Sequence, residues 1–357
     1  MTKALCPEHA NHKHSRGGRT VTASQGPAVH PRKALAQIMV GNQIQQAVYV
    51  AAKLGIADAL KDGPKRSEEV ARAVGAHPGS LYRLLRLLAS FGIFAEDEDG
   101  QFNLTPVASL LKKGTPSCAF ALWSGGLSYR VFGELEHSVR TGEPAFEHLF
   151  GMEFFDYLNR NPELGDLFDH AMSWHSSPIA PVIAAQDFSG IDTIVDVAGG
   201  RGELLAAVLT AHPALHGILI DHPRVIDSAR LRLEAAGVAD RCTIASGDIL
   251  QSVPPGGDAY LLKSVIHGLD DDDAARLLTN CRTAMNSHGK IRLVEFVLPA
   301  GNEPFPGKLM DLLMLIGGKG RERTLQEFST LFTKAGLRLA NIETTNFLYS
   351  IIEGAAA

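Results

Sequence analysis

Asp196-Val197-Ala198-Gly199-Gly200-Arg201-Gly202 follows the apolar run that begins at Thr193 and leads into Glu203-Leu204-Leu205. A strand, a glycine-rich turn and a helix are the expected sequence of elements. Glycines there let a ligand come close to the backbone, because no side chain stands in the way. Phosphate binders, dinucleotide binders and plain tight turns share this feature, so the surrounding chain must sharpen it. Outward from the turn, the β-rich runs Thr193 to Val197, Gly217 to Asp221, Cys242 to Ser246, Asp258 to Lys263 and Lys290 to Val297 alternate with helical stretches. That alternation is the βαβ signature of an α/β, doubly wound, Rossmann-like parallel sheet, whose ligands bind beyond the carboxyl ends of the strands.

Acids mark those ends. Asp196 closes the first strand, Asp221 closes the second 25 residues later, and Asp248 follows the third in Ser246-Gly247-Asp248-Ile249. A carboxylate at the end of the second strand can hold two ribose hydroxyls. Three acids around one pocket would repel a pyrophosphate and suit a ligand bearing an ammonium and a sulfonium. S-adenosyl-L-methionine is such a ligand.

The amino-terminal half reads differently. Residues 1–30 are rich in His, Gly, Ser, Thr and Arg without periodicity and are expected to form a disordered tail. Within them Cys6, His9, His12 and His14 have a spacing that could hold a metal, although a flexible cluster of this kind is more often fortuitous. From Lys33 to Leu60, Leu35, Ile38, Ile44, Ala47, Val48, Ala51 and Leu54 recur at helical intervals, and Gly55 marks a helix end. Ser67 is expected to cap a helix with Glu68 and Glu69 in its first turn, and Leu81 to Leu88 forms a second apolar helix. Phe94 to Leu104 reads as a hairpin around Asp99-Gly100. Helix, helix and wing make residues 31–118 a mostly α winged-helix domain. Residues 119–185 are helical and aromatic-rich, fitting a linker that also supplies a substrate pocket, and residues 186–357 form the Rossmann-like domain.

Composition bounds the partners. With 34 Lys and Arg against 39 Asp and Glu, the net charge of −5 gives no overall pull toward nucleic acid or anionic membrane. A DNA-binding regulator would carry Arg83 and Arg86 on its recognition helix, but the wing holds Glu96, Asp97, Glu98 and Asp99 where phosphate would approach. The run from Leu204 to Ile220 is broken by His212, Pro213 and His216 and is too short to span a bilayer. Cys6, Cys118, Cys242 and Cys281 lie far apart, and no secretory h-region opens the chain, so a cytoplasmic protein is expected.

Several motifs together resemble the S-adenosylmethionine-dependent O-methyltransferases of the caffeic acid and hydroxyindole type, including bacterial enzymes that tailor polyketides and other antibiotics. They are DVAGGRG at 196–202, LIDHPRVI at 219–226, SGDIL at 246–250, LLKSVIHGLDDDD at 261–273, LVEFVLP at 293–299 and GGKGRERTLQEFSTLFTKAGL at 317–337. The resemblance spans residues 35–354 and implies a class I methyltransferase domain behind a winged-helix dimerisation domain. It implies that Ala198, Gly199 and Gly200 border the methionine part of the cofactor, that Asp221 holds the ribose, that Asp248 and Ile249 frame the adenine and that Lys263 lies beside the cofactor. It places the general base at His267, flanked by Glu295 and Glu322. Phe168, Met172 and His175 keep the spacing of the family's substrate-contacting helix and Met314 that of a second wall, as a flat aromatic acceptor would require. A homodimer with interlocked amino-terminal helices is also implied. This agrees with the surplus of apolar positions on a small domain and with the prevalence of two-fold dimers.

A base is needed because a phenol of pKa about 10 is only about one part in a thousand ionised at pH 7. A histidine near neutrality can take the proton while the methyl moves in line, and carboxylates beside it orient the ring and stabilise the imidazolium. The chain departs from the family at Ala198, where a glycine is common, and at Gly268, where an acid follows the base. Loss of that acid motivates two alternatives, an N-methyl transfer and a protein that uses the cofactor without transferring methyl.

Overall fold

The computed structural model describes residues 30–357. The expected tail and its Cys6, His9, His12 and His14 group lie outside them, apart from His30. The chain divides after Gln43. In the first part the helix Pro31–Met39 is capped by His30, whose ring accepts from Arg32 N, and it presents Leu35, Ile38 and Met39 outward.

In the second part, the helix Ser67–Val74 begins on its expected cap residue, so the cap falls one residue earlier, on Arg66. Ser67 is its first residue, and Glu69 accepts from the backbone nitrogen of Arg66. The helix Pro78–Ser90 follows, starting on Pro78 with His77 as its cap. Strands β1 (Lys65–Arg66), β2 (Phe94–Glu96) and β3 (Gln101–Leu104) pair antiparallel in the order β1-β3-β2, which builds the wing. Leu81, Leu85 and Leu88, one helical face, close on Phe94, Phe102, Ile56 and Val70 as a buried cluster.

The large sheet contains β4 (Thr193–Val197), β5 (His216–Asp221), β6 (Cys242–Ser246), β7 (Ala259–Lys263), β8 (Lys290–Glu295), β9 (Leu337–Thr344) and β10 (Ser350–Ala356). Their order is β6-β5-β4-β7-β8-β10-β9. The first five are parallel, whereas β10 runs antiparallel to both β8 and β9. Alternate side chains enter opposite cores, as the two-residue period of a strand requires. Ile194, Leu219, Leu261 and Val294 join one buried cluster, while Val195, Ile220, Leu262 and Leu293 join the other. With both faces buried, the strands read as continuous apolar runs.

Strand order reverses between β4 and β7, and a crevice is expected outside the carboxyl ends at such a point. Asp196, Asp221, Lys263 and Glu295 all stand at or next to those ends. Among the described residues no helix is long and apolar enough to cross a membrane.

Candidate active site

The glycine turn is wound through left-handed backbone. Ala198 has φ 55°, Gly200 57° and Gly202 76°. Ala198 N donates to Ile220 O at 2.8 Å, tying the turn to β5. A side chain at Gly199 would meet the carboxyl of Asp196, since its Cβ would lie 2.7 Å from Asp196 Oδ2. Asp221 accepts from Gly200 N at 2.7 Å and from His222 N at 2.6 Å, so its carboxylate closes the other side of the turn. Asp196 is buried, and its Oδ2 has no partner among the described residues. Burial, together with Asp221, pushes its pKa up to about 7. Burial also raises Asp221, against the pull of its backbone donors. An orphan buried acceptor beside a bare backbone turn fits a ligand that brings an ammonium and hydroxyl donors. Asp248 is exposed and accepts from Leu250 N at 2.9 Å, with Ile249 half-buried beside it.

Lys263 ends β7. Its Nζ lies 3.3 Å from Ser176 Oγ and 5.4 Å from the centre of the Tyr349 ring. Burial lowers its pKa to about 8, with Glu295, Glu203 and Asp196 acting the other way.

Four residues further on, the short turn Ile266–Gly268 carries His267. His267 Nδ1 is 2.7 Å from Glu322 Oε1 and 4.0 Å from Glu295 Oε2. Both acids are buried, at 2% and 0% exposure. Glu295 Oε1 accepts from Val265 N and Ile266 N at 2.9 Å each, which holds the turn against the end of β8. Glu322 N donates to Asp311 Oδ1 at 2.9 Å, fixing the opposite side. Burial alone would pull the imidazole down, but Glu295 and Glu322 outweigh it and hold its pKa above the ordinary value. A carboxylate only accepts, so the ring proton stays on Nδ1 and Nε2 keeps its lone pair. This arrangement can take one proton.

The helix Pro162–Ser176 carries Phe168, Met172 and His175. Phe168 lies edge-on to Trp123 with ring centres 5.0 Å apart, and His175 lies edge-on to Phe120 at 5.0 Å. Phe168 and Met172 pack on the cluster that contains Trp123, Phe146 and Ile316. His175 is pushed down to about 4 by burial and by the nearby Lys263 and His267, so it is neutral at pH 7. Met314 is half-buried on the helix Pro306–Gly317, whose Leu313 and Ile316 reach the same cluster.

No local sequence pattern assigns a role to Ser176, Tyr349, Arg224, Asp169 or Arg323. Arg323 belongs to the RERT turn, but the partners of its side chain, Ile266 O and Leu269 O, lie more than 50 residues away.

A family model for an O-methyltransferase domain matches residues 132–338, and one for an O-methyltransferase dimerisation domain matches residues 36–114. The chain belongs to this O-methyltransferase family. It is therefore an S-adenosylmethionine-dependent methyltransferase. Phenazine O-methyltransferase PhzM of Lysobacter antibioticus is 44% identical over 322 residues, which cover 89% of this chain and 94% of that protein. Phenazine-1-carboxylate N-methyltransferase of Pseudomonas aeruginosa is 34% identical over 310 residues, covering 86% and 92%. The crystal structure of LaPhzM superposes with a TM-score of 0.88 at 43% identity, covering 92% of this chain and 100% of that one. NcsB1, an O-methyltransferase from neocarzinostatin biosynthesis in complex with S-adenosylmethionine and 2-hydroxy-5-methyl naphthoic acid, superposes with a TM-score of 0.76 at 35% identity, covering 88% and 96%.

Proposed function

We propose that this methyltransferase transfers the methyl group to an aromatic hydroxyl of a fused-ring secondary metabolite, with His267 as general base. The observation that carries this reading is the His267 imidazole, gripped through Nδ1 by Glu322 at 2.7 Å with Glu295 behind it. Asp196, Ala198, Gly199 and Gly200 would hold the methionine end of the cofactor, Asp221 the ribose, Asp248 and Ile249 the adenine, with Lys263 alongside. When bound, S-adenosylmethionine supplies a methyl on a good sulfonium leaving group. His267 Nε2 would accept the hydroxyl proton of the acceptor, freeing its oxygen to take the methyl group. The charge that develops on the imidazole falls between two buried carboxylates, where it is stabilised most. Phe168, Met172, His175 and Met314 would hold the acceptor ring so that oxygen, carbon and sulfur lie in line.

The 44% identity to a phenazine O-methyltransferase makes hydroxyphenazines the first acceptors to assay, followed by naphthols and simple phenols. Labelled cofactor and product mass spectrometry with NMR read whether the methyl sits on oxygen. His267→Ala should lower turnover by about 10²- to 10⁴-fold, the usual worth of a general base. A wild-type rate in that variant would overturn the mechanism. The exposed Gly268 beside the base, together with relatives that methylate nitrogen at 34% identity, favours N-transfer as the second reading, which an N-methyl product would establish.

The working form is a homodimer. It is supported by the dimerisation-domain match and by Leu35, Ile38 and Met39, 58%, 76% and 67% exposed on one short helix. Sedimentation equilibrium of an active sample decides it: a fully active species of 38.3 kDa would be evidence against the dimer.

A further inference from the structure

Arg224 is the second residue of the helix Pro223–Ala235, three positions beyond Asp221. Its guanidinium makes a two-point contact with Asp169, Nη1 donating to Oδ2 and Nη2 to Oδ1 at 3.1 Å. Asp169 sits on the helix Pro162–Ser176, directly after Phe168. The two side chains are 14% and 12% exposed, so the pair is largely shielded from solvent. Burial raises Asp169 while Arg224 pulls it down, and Asp221 raises it further; the same guanidinium also lowers Asp221. The helix makes room for it at Gly165, where a Cβ would lie 2.8 Å from Arg224 Nη1. The far end of the same helix meets β7 through Ser176 and Lys263.

We propose that Arg224 and Asp169 are a positioning pair that locks the acceptor-facing helix onto the cofactor loop, so that occupation of the Asp221 site orders the wall carrying Phe168, Met172 and His175. The inference rests on the assignment of Asp221 to the cofactor and of this helix to the acceptor. Neither residue touches a reacting atom. A bidentate guanidinium transmits position because its fork fixes both distance and plane, whereas a lysine at the same place fixes only distance. Cofactor-linked ordering of this helix would then be a coupling free energy carried by one ion pair.

Hydrogen exchange on the full-length protein, with and without S-adenosylhomocysteine, tests the pair without requiring an acceptor or His267. In the wild type the ligand should slow exchange in residues 162–176 by about fivefold or more, the lower range of measured coupling. In Arg224→Met and Asp169→Asn the slowing should disappear there while persisting at residues 196–202, which reports that the ligand still binds. Arg224→Lys should restore part of it. Equal slowing of the helix in wild type and Asp169→Asn would overturn the proposal, as would a wild-type helix indifferent to the ligand. Should Arg224→Met lose protection at residues 196–202 as well, Asp169→Asn decides. Failure of the acceptor assignment would instead appear as intact coupling in a protein that methylates none of the aromatic hydroxyls offered.

Discussion

His267 Nδ1 and Glu322 Oε1 are 2.7 Å apart, with Glu295 Oε2 4.0 Å from the same nitrogen. Two buried carboxylates therefore share one imidazole, and the pKa of His267 rises despite its burial. With His267 as the proposed base, activity should be present above its folded pKa and lost as pH falls through it, because a base works only when unprotonated. That acid limb should have its midpoint above the ordinary histidine value of about 6.5. Glu322→Gln removes one raising charge and should move the limb toward lower pH while lowering the plateau about 10- to 100-fold. A pH–rate profile of both proteins checks it; a limb that stays in place in Glu322→Gln would show that His267 is not the titrating group.

Arg323 holds the turn on which that imidazole is mounted. It is fully buried, donates from Nη1 to Ile266 O and from Nη2 to Leu269 O at 2.8 Å each, and grips Asp271 Oδ1 through Nη2 at 2.8 Å and Nε at 3.1 Å. Its bonds bracket His267 on both sides. Arg323→Met takes the donor from Leu269 O, leaves Ile266 O with Leu269 N alone at 3.2 Å, and breaks a partly buried ion pair, costing about 3–5 kcal/mol of stability in urea unfolding. Asp271→Asn keeps an acceptor for Arg323 but takes the negative charge from beside a fully buried guanidinium; with Asp271 itself 38% exposed, it should cost less, about 1–3 kcal/mol. Equal losses in the two variants would show that the carbonyl bonds contribute little.

Contiguity decided what could be read from the sequence alone. The glycine turn, the five parallel strands and the Lys263 to His267 spacing lie within short windows, and local pattern suffices for them. Glu322 came from resemblance, 55 residues beyond His267, and its 2.7 Å contact depends on how the 317–337 segment folds back. The Arg224–Asp169 pair also spans 55 residues, and nothing local to either side chain names its partner. The β9–β10 hairpin escaped for another reason. Its Thr345–Tyr349 connection lacks an Asn-Gly or Asp-Gly pair and places Leu348 at φ 69°, and β10 ends Gly-Ala-Ala, which has little strand propensity.

Asp196 gives the cofactor-free protein a pH-dependent stability. Its pKa rises from 3.8 to about 7 on folding, so its contribution is fully present below pH 3.8 and lost as pH rises through about 7. Between pH 6 and pH 8 the loss from this group amounts to about 1.4 kcal/mol. His175, pushed down to about 4, works in the opposite direction over the lower part of that window, so the comparison is made against a variant. Wild type should lose about 1.4 kcal/mol more than Asp196→Asn between the two pH values in urea unfolding. Parallel losses in the two proteins would remove Asp196 as the cause.

Ala198 and Gly199 are adjacent, and opposite exchanges, removing a methyl at the first and adding one at the second, should have opposite results. Ala198 holds φ 55°, where a Cβ is crowded by the backbone at a cost of roughly 1–2 kcal/mol. Ala198→Gly removes that crowding but gains unfolded-state freedom worth roughly 0.5–1 kcal/mol. The balance should be a small stabilisation, about 0.5–1 kcal/mol, with cofactor affinity retained. Gly199 is constrained by its neighbour instead: a methyl there would press on the Asp196 carboxyl at 2.7 Å and on Leu219 at 3.0 Å. Asp196 is buried among strands and cannot step aside, so Gly199→Ala must displace the turn, with a stability loss of about 1–3 kcal/mol. Displacing the turn also moves Gly200 N, the donor to Asp221, so S-adenosylhomocysteine binding by calorimetry should fall at least about tenfold, a loss of about 1.4 kcal/mol. A Gly199→Ala protein that binds the ligand as tightly as wild type would show that the cofactor does not depend on this turn.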